Sequence, residues 1–210
     1  PIGIISKIVS FVFHPVFIPS LVLLYLIVFS PSLFFGLPEK TQWWWLVIVS
    51  YITITFPLLV VFLLWRLKFI ESIYMQGDKE RYIPLISSML FYFWTFWLFH
   101  KELNAPEMLQ SFLLGIFLTT IAVFMATIFF KISMHSAAWG GVVSFALLAT
   151  FQHVENGFLL LLIALVLSGI VAATRLYLKA HTPVQVYTGF FAGVLMQLLS
   201  FFVVHHFLIS

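Results

Sequence analysis

The chain contains no cysteine, a single aspartate and very little charge of either sign. Its 210 residues include 10 Lys and Arg against 7 Asp and Glu, while 63% are hydrophobic. Without cysteine, disulfides and thiolate metal sites are excluded. A charged share of 8% falls far below the roughly 25% of an ordinary soluble domain, so these residues cannot cover a water-facing surface. Low-complexity linkers, internal repeats and the inverted symmetry of many transporters are also missing. No polar stretch is long enough for a second domain. What remains is an all-α, polytopic transmembrane helix bundle, with residues 1–210 forming one integral membrane domain of about six to seven spans.

What is present is apolar length. A span needs about 20 largely apolar residues, and the sequence predicts helices near 16–36, 43–65, 83–100, 107–130, 137–152, 158–174 and 184–207. Residues 1–15 form an apolar segment with one lysine that runs into His14-Pro15. They either lie along the interface or extend the first span. The chain opens without a basic n-region or small-residue cleavage site, so no removable signal peptide is expected and the first span serves for insertion. Trp43, Trp44 and Trp45 open the second span, where an aromatic belt belongs. Gly140-Gly141 and Gly189-x3-Gly193 predict close helix packing.

Net charge is +3. The basic residues sit in short loops, which points to membrane lipids as partners rather than nucleic acid. Seven spans divide those loops between two sides. One side carries Lys7, Arg66, Lys68, Lys79, Arg81, Lys131, Arg175 and Lys179; the other has only Lys40 and Lys101. The positive-inside rule would make the first side cytoplasmic. Residues kept to bind phosphate are not topology signals, however, and without them mainly Lys7, Arg66 and Lys68 are left to count.

Three polar segments share that basic side: GDKERYIP (77–84), KISMHSA (131–137) and TRLYLKAHTPVQ (174–185). Each precedes an expected helix start. Thr182 reads as an N-cap with Pro183 at the first helical position, which puts His181 just outside a helix N-terminus, where free N–H groups favour an anion. Ser136 reads as the cap of the preceding helix, placing Ser133 and His135 equivalently. Lys79 and Arg81 stand ahead of Pro84. Cations, imidazoles and helix N-termini converging at a membrane surface make a phosphate pocket. Plainer readings stand beside this one. Thr182-x-x-Gln185 is a capping box in its own right, and Lys131 and Lys179 can snorkel to the interface. His14, His100, His153, His205 and His206 show no partner spacing.

Arg175-x5-His181, preceded upstream by Ser133-Met134-His135, resembles the type 2 phosphatidic acid phosphatase superfamily, and within it a divergent bacterial branch. That family carries a Lys…Arg-Pro segment, a Pro-Ser-Gly-His segment and a Ser-Arg-x5-His-x3-Asp segment. Thr174, Arg175 and His181 match the third, with Thr for Ser. Ser133 and His135 match the second, with Ile132 for Pro and Met134 for Gly. Arg81 and Lys79 fall where the first belongs, although Pro84 stands three residues beyond Arg81 and Lys79 only two before it. Gln185 replaces the family's aspartate.

The resemblance implies an enzyme of the bacterial inner membrane that hydrolyses a lipid phosphate through a phosphohistidine, with no metal or other cofactor. In it His181 is the nucleophile, His135 the proton donor and Gln185 the residue that orients His181. Arg175, Lys131, Ser133, Arg81 and Lys79 hold the phosphate. With the aspartate replaced, two other readings stay open: a non-catalytic relative that binds a lipid headgroup, as a homo-oligomer or a subunit of a larger membrane complex, and a lipid-phosphate transporter.

Overall fold

The computed structural model describes residues 2–71 and 79–208. Among them are nine α-helices: α1 (Ile2–Val12), α2 (Ile18–Phe29), α3 (Glu39–Ser50), α4 (Phe56–Arg66), α5 (Tyr82–Trp97), α6 (Glu107–Phe129), α7 (Met134–Phe151), α8 (Gly157–Tyr177) and α9 (Pro183–Val203). They combine into 7 segments long and apolar enough to cross a membrane. The protein is an all-α integral membrane bundle.

Proline explains the irregular joints. Pro57 cannot donate to the carbonyl four residues back, and α3 passes into α4 through a widened π turn, Tyr51–Thr55, of the kind that absorbs such a break. The first span ends at Phe29 rather than near 36, because Ser30-Pro31 opens a 3₁₀ turn, Pro31–Phe34. Ser30 is tied down instead, donating its hydroxyl to the Glu155 carbonyl at 2.6 Å. At the other end of that span, His14 adopts φ −65°, ψ 140°. That extended residue breaks the helix, so the first apolar segment, Gly3–Phe29, consists of two helices, α1 and α2. Helix α1 packs on α8 and leaves Ile4, Ile5, Ile8 and Phe11 exposed.

At the centre stands α7. Its span is 67% buried, against 39% or less for every other. Helices α9, α8 and α6 surround it. The crossing with α9 is close because glycine permits it: a Cβ on Gly140 would run into the Phe190 carbonyl, and one on Gly193 into the Ala137 carbonyl. Gly189 likewise faces the Ser133 carbonyl. The glycine pairs thus do what their spacing predicts, and Gly141 belongs to the same crossing: a Cβ on it would stand 3.8 Å from the Gly193 carbonyl and 3.9 Å from the Thr119 hydroxyl. The tryptophan triplet divides. Trp43 and Trp44 are exposed, but Trp45 is a core residue, 3% exposed, edge-on to Phe99 at 5.3 Å.

Gly140→Ala and Gly193→Ala each force a methyl against a backbone carbonyl, and each lowers stability by about 1–3 kcal/mol. Gly169 is the control, since its added Cβ meets nothing within 4 Å; Gly169→Ala is neutral or gains up to about 1 kcal/mol from helix propensity. Thermal unfolding in detergent measures this, and an unshifted Gly193→Ala midpoint would mean that the crossing is loose.

Candidate functional site

A cavity of about 850 Å³ opens among α1, α4, α5, α6, α7 and the α8–α9 turn. Among the described residues, six lining side chains are basic or imidazole, namely Lys7, His14, Arg81, His135, Arg175 and His181, and no described lining residue is acidic. Charges of one sign gathered in a low-dielectric cleft favour an anion.

Two of the three polar segments are joined by backbone. The Ser133 N–H donates to the Gln185 carbonyl at 3.1 Å, which fixes the start of α7 against the first turn of α9. Helix α7 begins earlier than Ser136 would have it. Ser133 is the N-cap, accepting from the Ser136 N–H at 3.3 Å and bonded to the Ser136 hydroxyl at 3.0 Å. This corrects the expected cap by three residues. It also leaves Ser133 fully buried and off the cavity wall, so its hydroxyl serves the helix end rather than a phosphate. His135 lies in the first turn, and its Nε2 donates to the Ser10 carbonyl at 3.1 Å.

Thr182 caps α9, and the capping box is complete. Gln185 does two things with one oxygen. Its Oε1 accepts the Thr182 N–H at 3.2 Å and lies 3.1 Å from His181 Nδ1. An atom that accepts from a backbone N–H here must be the amide oxygen, so the imidazole must donate from Nδ1. The Nε2 lone pair is therefore free for chemistry. One oxygen thus closes the capping box and accepts from the His181 ring.

Burial pushes the His181 imidazole down to about 4; the Gln185 hydrogen bond works against this, while Arg175, Lys131 and Arg81 reinforce it. At neutral pH the ring is an uncharged base. Arg175, near the end of α8, donates from Nη1 to the Ser10 hydroxyl at 3.2 Å. Its buried Nε has no hydrogen-bond partner among the described residues. Arg81 lines the same cavity. Lys131 is close enough to act on His181 by charge but does not line the wall. Asp78 and the Lys79 side chain lie outside the described residues.

The structure adds residues that spacing did not reveal. The His14 ring stands edge-on to His135, 5.0 Å between centroids, with its Nδ1 accepting the Val16 N–H at 3.3 Å. Trp139 donates to the Phe13 carbonyl at 3.3 Å. The end of α1 is thus pinned across the site by Ser10 and Phe13. The available signal was topological: loop parity put the N-terminus on the side of the three polar segments. Among the described residues, no three His, Cys, Asp or Glu side chains converge as a metal site would require.

No family model matches the chain, and neither a curated protein nor a solved structure is similar to it.

Because His181 is held neutral, it binds fewer protons folded than unfolded between its ordinary 6.5 and about 4. The stability this contributes is present above pH 6.5 and is lost as pH falls toward 4. Carbethoxylation of His181, followed by mass spectrometry, should persist well below the pH at which an ordinary histidine stops reacting. Gln185→Leu, which removes the one raising contribution, extends that range further down. A His181 reaction profile centred at 6.5 would contradict the half-buried, cation-flanked geometry.

Proposed function

We propose that this protein is a lipid-phosphate phosphatase of the integral membrane class, working through a phosphohistidine on His181. The observation that carries the reading is a tautomer-fixed imidazole facing a cavity whose titratable lining is basic at one end. The resemblance to a bacterial family of lipid phosphatases supports it, and with that resemblance comes the bacterial inner membrane as its location. A phosphomonoester or a pyrophosphate fits the chemistry.

In the first transfer, the His181 Nε2 lone pair attacks phosphorus in line with the ester oxygen. The P–N bond forms as the P–O bond breaks, and the leaving alkoxide takes a proton from His135. In the second, a water gives a proton to His135 while its oxygen attacks phosphorus. The P–N bond breaks, inorganic phosphate leaves, and His181 is restored. Arg175 and Arg81 neutralise the equatorial oxygens, the largest task in phosphoryl transfer. The substrate takes over contacts now made by Ser10. A phosphate oxygen replaces its hydroxyl on Arg175, and the leaving oxygen replaces its carbonyl on His135. A bound phosphate dianion also supplies the negative charge that lets His135 hold a second proton.

One observation favours the second reading, a non-catalytic headgroup-binding protein: Gln185 orients His181 but carries no charge to balance the ring as the P–N bond forms. Phosphate release from a panel of lipid phosphates separates the two. His181→Ala abolishes turnover, and His135→Ala slows it by about 10²–10⁴-fold, most severely for poor leaving groups. Wild-type rates in His181→Ala would remove the enzyme reading.

Gln185→Glu gives a sharper test. It preserves the reach to His181 and Thr182 while adding the missing charge, and should raise turnover about tenfold. That is well short of the roughly four orders lost when a serine protease's orienting aspartate becomes an amide, because the tautomer here is already correct. A lower rate in Gln185→Glu would count against a phosphohistidine.

A further inference from the structure

Below its basic end the cavity wall carries a second polar patch. Tyr92, Thr119 and Gln197 line it, and they are only 7%, 7% and 1% exposed. By the helical rise of 1.5 Å per residue, Tyr92 and Thr119 lie about 15 Å and Gln197 about 21 Å from the helix ends that border the phosphate end. Polar groups at that depth are expensive unless satisfied.

These groups are not satisfied by the protein. The Tyr92 and Thr119 hydroxyls make no hydrogen bond among the described residues. Gln197 donates through Nε2 to the Ser111 carbonyl and the Ser200 hydroxyl, both at 3.2 Å. Those bonds orient the amide, and its Oε1 is left without a donor, pointing over Gly115, where a Cβ would collide with it. The patch therefore offers two hydroxyls that can donate and one oxygen that can only accept.

We infer that this patch is a subsite for a hydroxyl carried partway along a substrate's hydrocarbon chain. The inference rests on the phosphate-binding reading for the cavity's other end. A hydroxyl both donates and accepts, so it can give its proton to Gln197 Oε1 while receiving one from Tyr92 or Thr119. An unsubstituted chain reaching the patch strips water from all three groups and returns nothing. Size points to one chain. At roughly 30 Å³ per small group, 850 Å³ holds about 28 heavy atoms, which is a phosphate, a small linker and one acyl chain. The ligand class is a single-chain lipid phosphate hydroxylated near mid-chain.

The test measures binding, not turnover, so it survives failure of the phosphatase reading. Phosphonate analogues of a mid-chain hydroxystearoyl lysophosphatidate and of its plain stearoyl counterpart are titrated against the full chain in nanodiscs. The hydroxylated analogue should bind about tenfold more tightly. In Tyr92→Phe and Thr119→Val, two near-isosteric variants, the ratio between the analogues should fall toward one. Equal affinities in the wild type overturn the proposal and leave the patch a water-filled pocket only. So does a preference that persists in both variants, and so does failure of either analogue to bind. If phosphate is never released but the ratio behaves as expected, the subsite stands and only the catalytic reading falls.

Discussion

The approach of α7 to α9 is the constraint on which the site depends. His135 and His181 are separated by two whole spans, α7 and α8, and each sits at the start of a different helix. They reach one cavity because backbone touches backbone along the crossing, through Gly140, Gly189 and Gly193, and because the Ser133 N–H closes onto the Gln185 carbonyl. Lipid tails offer no hydrophobic drive between helices, so close van der Waals contact at small residues must supply the adhesion. The same glycines that hold the bundle together therefore set the distance between the two imidazoles.

Electrostatics then act on what packing has gathered. The described cavity wall combines three cations with three imidazoles and contains no acid. Such a cluster resists holding more positive charge, and His181 shows it: burial with neighbouring Arg175, Lys131 and Arg81 keeps the ring neutral. The cost is repulsion among cations, which an anion bound there would offset. On the proposed reading, Ser10 is a weak stand-in for such an anion. Its hydroxyl and carbonyl occupy Arg175 and His135 without charge, so a phosphate competes with it on favourable terms.

Much of this was legible in residues 130–200. The spans follow from apolar length, and parity put the three basic segments on one side before any contact was known. The capping box of Thr182 and Gln185 and the glycine spacing each encode local geometry that survives folding. What could not be read was contact between distant positions. Ser10 meets His135 and Arg175 across most of the chain, and a serine in an apolar helix carries no mark of that. Trp45 looks like its exposed neighbours Trp43 and Trp44 until Phe34 and Phe99 enclose it. Ser133 and Ser136 both suit a helix start, and the bond to Gln185 settles which one caps. Tyr92, Thr119 and Gln197 are each unremarkable in their own helix, and only the bundle brings them to one cavity wall.

Gln185 shows how far one side chain can serve two demands. Closing the capping box needs only an acceptor at the third helical position, and either an amide or a carboxylate provides it. Orienting His181 likewise needs only an acceptor, so the same oxygen serves both the Thr182 N–H and the imidazole Nδ1. Balancing a positive ring is a separate demand that an amide cannot meet. A carboxylate there would raise the ring's proton affinity and oppose the neighbouring cations, so that at neutral pH the nucleophile would be protonated more often. If His181 is the nucleophile proposed above, Gln185 gives up charge compensation during attack but keeps the base unprotonated at rest. Because the ring starts from about 4, a carboxylate that raised it by about two pH units would still leave the base mostly unprotonated at neutral pH, so the compensation it would add outweighs the protonation it would cost.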